Sequence, residues 1–241
     1  MAEWFDNLKS QFILNFVDGN RWKLLVEGLG NTLKITLVAV VIGIVLGVLI
    51  AIIRSSYDKN AESMHGASKA VLSALNGIAK IYLTIIRGTP VVVQLLIMYY
   101  IIFASSNNKI LIAILAFGIN SGAYVAEIFR SGIMSIDAGQ FEAGRAMGLN
   151  FVQTMVHIII PQAFKNVLPA LANEVIVLLK ETSVAGYVAI TDLTRAGNLI
   201  RGKTFSAFMP LIAVAVIYLI MVMILSKLVS LLERRLRASD H

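Results

Sequence analysis

The sequence predicts an all-α, polytopic membrane protein with about five transmembrane helices, and three observations carry that expectation. Of 241 residues, 58% are hydrophobic and 15% charged, with a mean hydropathy of +0.80. A soluble domain is about half apolar and about a quarter charged. The apolar residues are also consecutive: Gly28–Ile53 carries one charge, Lys34, in 26 residues, and Phe208–Leu225 carries none in 18. Those lengths match the ~20 helical residues that cross a bilayer core of about 30 Å. A soluble enzyme, a disordered regulator and a collagen-like fibre are excluded.

The elements follow in order. Residues 1–19 lack a basic start followed by a continuous apolar core, so a cleavable leader is not expected. Trp4, Phe5, Leu8, Phe12 and Phe16 fall at helical spacing instead and predict a short helix lying in the interface. The first span is Gly28–Ile53, and a polar linker, Arg54–Gly66, follows it. Ser68–Arg87 sets Val71, Leu75, Ile78, Tyr82 and Ile85 on one face against Lys69, Ser73, Asn76, Lys80 and Arg87 on the other. That pattern predicts an amphipathic helix at the membrane surface. Thr89 and Pro90 then suit an N-cap and a first helical residue, opening a second span to about Ser105 that is short for a crossing. The third span is Ile110–Phe129. The fourth is Thr154–Lys180, which Pro161 and Pro169 should bend. The fifth is Phe208–Leu232, closed by Glu233-Arg234-Arg235-Leu236-Arg237.

Five spans put the termini on opposite sides. Basic residues in Arg54–Pro90, Arg130–Gln153 and Lys227–Arg237 only slightly outnumber those of the opposite set. The dense cluster after the fifth span adds to that bias, and together they predict a cytoplasmic C-terminus. If Ser68–Arg87 crosses on its own, there are six spans and the N-terminus moves inside. The net charge of +7 sits beside apolar spans, so it matches anionic headgroups rather than nucleic acid. Cysteine is absent, and His65, His157 and His241 form no ligand spacing, so no metal site is expected.

Between the third and fourth spans stands Asp137-Ala138-Gly139-Gln140-Phe141-Glu142-Ala143-Gly144-Arg145-Ala146-Met147-Gly148, followed by Ile158, Ile160 and Pro161. Five residue types at these spacings coincide by chance about once in 10⁶ starting positions. The reading is a short helix, Gln140–Met147, stopped by Gly148 as a C-terminal cap. Its small residues permit close approach by a partner, with Glu142 and Arg145 on adjoining faces.

This loop resembles the EAA signature of membrane permeases of ATP-binding-cassette importers, with Gly144 where the third Ala is usual and Ile160 where Leu is usual. Arg87-Gly88-Thr89-Pro90 leading to Val93-Gln94-Leu95, Ala123–Arg130, Asn173-Glu174 leading to Leu178–Ser183, and Leu232–Arg235 are similar to the branch that carries polar amino acids. The resemblance covers about residues 22–237. It implies the type I importer (MetI-like) permease fold in a bacterial cytoplasmic membrane. It implies an interfacial segment at 1–27, a permease domain at 28–232 with a coupling loop at 130–153, and a cytoplasmic tail at 233–241. It further implies a second permease subunit (identical or homologous), a cytoplasmic ATPase dimer and an extracytoplasmic amino-acid-binding protein. The chain itself would hold no cofactor and have no catalytic residue, ATP and Mg being bound by the ATPase. Glu142 and Arg145 would make polar contacts in a groove of that ATPase, and Ala143 and Gly148 would permit the fit.

Gly197-Asn198-Leu199-Ile200-Arg201-Gly202-Lys203-Thr204 fits the phosphate-loop pattern at every position. The mechanism needs a buried strand before the loop, and none is expected, so nucleotide binding here is rejected. Polar residues inside spans cost a few kcal/mol and face cavities or partners. Gln94, Asn120, Ser121, Tyr124, Glu127, Asn173 and Glu174 are therefore candidates to line the substrate path; the alternative is that they tie helices together, with Glu127 paired to Arg130. An ion-gradient-driven secondary amino acid transporter is the second functional reading, although no internal repeat supports it. An intramembrane enzyme ranks last, since no catalytic motif is present.

Overall fold

The computed structural model describes residues 2–60 and 64–238. Residues 61–63 of the polar linker and the tail end with His241 lie outside the described residues. The helices, in chain order, are α1 (Ala2–Phe12), α2 (Trp22–Asn60), α3 (Gly66–Gly88), α4 (Val91–Ile97), α5 (Lys109–Met134), α6 (Ala138–Ala146), α7 (Phe151–Thr154), α8 (Ile160–Glu181), α9 (Leu193–Thr204) and α10 (Phe208–Ala238). Single π-helical turns cover Ile13–Val17, Met98–Ile102 and Met155–Ile159, and a 3₁₀ turn covers Thr182–Val188. Among the described residues there is no strand.

Four helices, α2, α3, α5 and α10, are long and apolar enough to cross a membrane. Three sequence expectations bear on these helices. The helix expected at the surface, α3, has 23 residues and spans about 34 Å at 1.5 Å per residue. Its apolar face, Val71, Leu75, Ile78, Ile81 and Ile85, is exposed, whereas Asn76, Ala79 and Leu83 are buried. An apolar stripe that faces outward suits lipid as solvent, while of the polar stripe only Asn76 packs on protein, Lys69, Ser73, Lys80 and Arg87 being exposed. The expected second span holds only Val91–Ile102 as helix, about 18 Å long, which cannot cross alone. The expected fourth span, α8, is not among the four. It carries Lys165, Asn166, Asn173 and Glu174, so it is not apolar all round. Before Pro161, which lacks an N–H, the backbone widens into the π turn Met155–Ile159; it runs through Pro169 as helix.

The chain divides into two compact units. The first comprises the residues up to Ala39, Val91–Phe117 and Ile176–Lys227; the second comprises Val40–Pro90, Gly118–Val175 and Leu228 onward. In the first unit Phe16, Leu25, Leu193, Ala196, Ile200 and Val214 form the core. Helix α9 is seated there by close approach: a Cβ on Gly28 would lie 2.7 Å from the Asp192 carbonyl oxygen, and one on Gly197 would lie 2.5 Å from Val214 Cγ2. Asn31 Nδ2 donates to the Thr191 carbonyl at 2.9 Å, and the Leu193 N–H donates to Thr32 Oγ1 at 3.1 Å. Thr204 Oγ1 donates to Asn15 Oδ1 at 2.7 Å, tying α9 to the N-terminal segment.

Asp192 is the N-cap of α9, accepting from the Thr194 N–H at 3.0 Å and the Arg195 N–H at 3.3 Å. Burial pushes its carboxyl above the ordinary value, an effect those backbone N–H groups only partly offset. Asp192→Ala should cost about 2 kcal/mol of stability, since it removes the cap and leaves two half-buried donors unmet. Asp192→Asn, which keeps an acceptor without the buried charge, should cost less. Thermal unfolding of the purified chain in detergent measures both, and equal melting of the Ala variant and the parent would refute the capping role.

In the second unit α2 meets α5 through glycine. A Cβ on Gly43 would lie 2.9 Å from Ser121 Cβ, and one on Gly47 would lie 2.6 Å from Val125 Cβ. This is the close packing that a G-x-x-x-G stripe allows between membrane helices. Tyr82 Oη on α3 donates to the Ile119 carbonyl at 2.5 Å, and Leu83, Ala123 and Ala126 pack beside it. A separate cluster, Ile133, Phe141, Ile159 and Ala163, lies under α6.

Candidate coupling helix and polar cluster

Helix α6 begins and ends where its residues dictate. Asp137 caps the N-terminus by accepting from the Gly139 N–H at 2.6 Å. At the other end Gly148 takes φ +79°, a left-handed conformation that suits glycine. The Gly148 and Leu149 N–H groups then donate to the Arg145 and Gly144 carbonyls at 2.9 and 3.0 Å. An Asn150–Gln153 capping box, 2.9 Å in each direction, starts α7.

This geometry gives α6 two sides. Phe141 and Gly144 are buried, and a Cβ on Gly144 would stand 2.6 Å from Thr154 Cγ2. Glu142, Ala143, Arg145, Ala146 and Met147 are exposed. The outward face thus carries one acid, one base, two small residues and a thioether 76% exposed, a combination that can be docked closely by a partner protein.

The seven polar candidates do not form one cluster. Ser121 Oγ donates to Glu174 Oε1 at 2.9 Å, with both residues buried and Asn120 buried beside them in the chain. Glu127 accepts from Arg130 at 2.9 Å and pairs with Arg87 at 3.5 Å, while Arg130 also faces Asp58 at 3.8 Å. Tyr124 lies with its ring 5.9 Å from the Arg87 guanidinium. Asn173 is exposed, and Gln94 is half-buried on α4 in the first unit.

Sequence reasoning did not single out Arg54, Asp58 or Arg87 as one charged group with Glu127 and Arg130, nor Asp192 as a cap. An Asp directly before a helical run was the available signal for the cap. Residues 197–204, the phosphate-loop pattern, lie inside α9 with Ile200 fully buried. Their N–H groups therefore belong to a helix interior and do not form a loop after a strand.

The fold, with four helices long and apolar enough to cross a membrane, is that of a multi-pass helical membrane protein. The comparisons agree: the chain belongs to the family described as binding-protein-dependent transport system inner membrane component, which matches residues 63–238. A putative glutamine transport system permease protein, GlnP, of Rickettsia typhi is 35% identical over 215 residues, 88% of this chain and 92% of that one. The arginine transport system permease protein ArtQ of Bacillus subtilis is 34% identical over 219 residues, 90% and 94% of the two chains. A crystal structure of an amino acid ABC transporter with histidines matches with TM-score 0.79 and 39% identity, covering 91% of this chain and 98% of that chain. The MetNI methionine ABC transporter, at 20% identity and TM-score 0.74, shares the fold. The chain is therefore a transport permease, and the ion-gradient alternative finds no support.

Proposed function

We propose that the chain forms the translocation pathway for a polar or charged amino acid in an ABC importer, by alternating access driven by a separate ATPase. The observation that carries this reading is the exposed face of α6, fixed by its two caps and by the Gly144–Thr154 contact. An ATPase dimer that closes on ATP moves this face, and loaded binding protein favours the outward state; such differential preference is what coupling requires. ATP and Mg stay with the ATPase. The relatives named for glutamine and arginine transport support the cargo class.

The segments that five spans assign to the cytoplasm, namely the linker after the first span, the α6 loop and the tail, all belong to the second unit. Those assigned outside, the N-terminal segment, residues 106–110 and the α8–α10 connection, all belong to the first. This supports a cytoplasmic C-terminus in a bacterial inner membrane. Gln94, Asn120, Ser121, Tyr124, Glu127, Asn173 and Glu174 line the path in this reading, with the buried Ser121–Glu174 pair as its most constrained part.

Because the sequence has no cysteine, a single Ala143→Cys variant gives a clean test. Membrane-impermeant maleimide should label it in inside-out vesicles, and added ATPase should protect it. Labelling in right-side-out vesicles would end the proposal. In proteoliposomes carrying ATPase and binding protein, Glu174→Gln or Asn120→Ala should lower uptake of labelled glutamine or arginine; unchanged uptake in both removes the path assignment.

A further inference from the structure

We propose that a pocket bounded by Glu27, Asn31, Asn107, Lys109, Ala189 and Thr191 binds one free amino acid as a zwitterion, on the extracytoplasmic face and apart from the residues assigned to the path. The pocket is about 290 Å³ and lies wholly within the first unit, where the start of α2, the start of α5 and the turn before α9 meet. Small-ligand sites begin at about 300 Å³, so the space suits a molecule of amino-acid size. Glu27 and Lys109 bring opposite charges to this one pocket, yet no ion pair joins them. Among the described residues the ion pairs are Arg87–Glu127, Arg130–Asp58 and Arg130–Glu127. A molecule that carries an ammonium and a carboxylate on one carbon answers both charges. An anion alone would meet Glu27, a cation alone would meet Lys109, and a neutral sugar would leave both unanswered. Charge complementarity therefore selects a zwitterion.

The walls of the pocket are held in place. Asn31 Nδ2 donates to the Thr191 carbonyl at 2.9 Å, which ties the turn to α2 and leaves the Asn31 side-chain oxygen as an acceptor. Ala189 keeps that turn at φ +59°, a left-handed conformation uncommon for a residue with a Cβ. Lys109 Nζ stands 5.9 Å from the Tyr99 ring. Lys109 also opens α5, whose positive end favours a carboxylate at the same place. Asn108 caps that helix, its Oδ1 accepting from the Leu111 N–H at 3.1 Å, and Asn107 before it is exposed. The amides of Asn31 and Asn107 offer partners to an amide or guanidinium side chain, which is the cargo class proposed above. In that choice, and in placing the pocket outside, the inference rests on the importer reading. A site here holds cargo between its release by the binding protein and its entry to the path.

A cysteine at the rim of the pocket tests it. Ala189 is exposed, so Ala189→Cys in the full chain should react with membrane-impermeant maleimide in right-side-out vesicles. Saturating L-glutamine or L-arginine should slow that labelling about tenfold. N-acetylglutamine, which lacks the ammonium, and the α-amide of glutamine, which lacks the carboxylate, should not. Glu27→Gln and Lys109→Gln, each added to Ala189→Cys, should raise the half-protecting concentration about tenfold. Equal labelling with and without amino acid overturns the site. Protection that survives both substitutions, or that either analogue gives in full, overturns it too, because the effect then arises elsewhere in the chain. Protection by binding protein without cargo, and none by free amino acid, makes the pocket a docking contact and refutes the proposal. The comparison of analogues needs no second substitution, so it decides the matter even where Glu27→Gln or Lys109→Gln misfolds. Unprotected Ala189→Cys, beside Ala143→Cys labelled from the cytoplasm alone, would leave the importer reading standing and this one refuted. Labelling of Ala189→Cys only in inside-out vesicles would overturn both.

Discussion

Gly47→Leu should leave almost no folded, monodisperse protein. A Cβ at this position would lie 2.6 Å from Val125 Cβ and 2.8 Å from the Ala126 backbone nitrogen, so even alanine needs a shift, and a backbone atom cannot rotate away. Leucine adds three more carbons at the same place. Overpacking of this kind costs about 3 kcal/mol or more, because α2 and α5 must part and their contacts are lost together. Gly30→Leu on the same helix is the control: no heavy atom lies within 4 Å of its Cβ, and leucine favours helix over glycine by about 1 kcal/mol. Size-exclusion profiles and melting curves of both variants decide the matter. Normal folding of Gly47→Leu would mean that α2 and α5 are not held together at this stripe.

Gly144→Leu should give the opposite phenotype, a folded and assembled transporter that does not transport. Its Cβ meets Thr154 Cγ2 at 2.6 Å and Oγ1 at 2.7 Å, so the new side chain lifts α6 from its seat without touching the α2–α5 contact. In the importer reading proposed above, the outward face is then misplaced for the ATPase. Losing one interface hot spot costs about 2 kcal/mol, or about thirtyfold in coupled uptake. Thr154→Ala should restore part of the loss by making room, and ATP-driven uptake in proteoliposomes reads both. Full activity of Gly144→Leu alone would show that the Gly144–Thr154 contact does not set the position of the face.

Much of this could be read before any coordinates. The runs behind α2, α5 and α10 are decided by hydrophobicity over lengths that only a membrane explains, and Gly148 marks the end of α6 because its residue type suits the left-handed turn. The sequence pattern of α3 gives an amphipathic stripe without saying whether water or lipid faces it, so it does not tell a surface helix from a crossing. Gly43 and Gly47 were legible as a G-x-x-x-G stripe and passed unread inside an apolar run. The Ser121–Glu174 bond joins residues 53 apart and Thr204–Asn15 residues 189 apart. No local propensity specifies such pairs; packing does.

The tight seat of Gly144 also bears on how this protein can change over generations. The signature that this loop resembles has alanine at this position, yet here the threonine at 154 leaves no room for its methyl group. The two sites should therefore vary together. Lineages in which alanine returns to 144 should already carry a smaller neighbour at 154, and the reverse order of substitution should be rare.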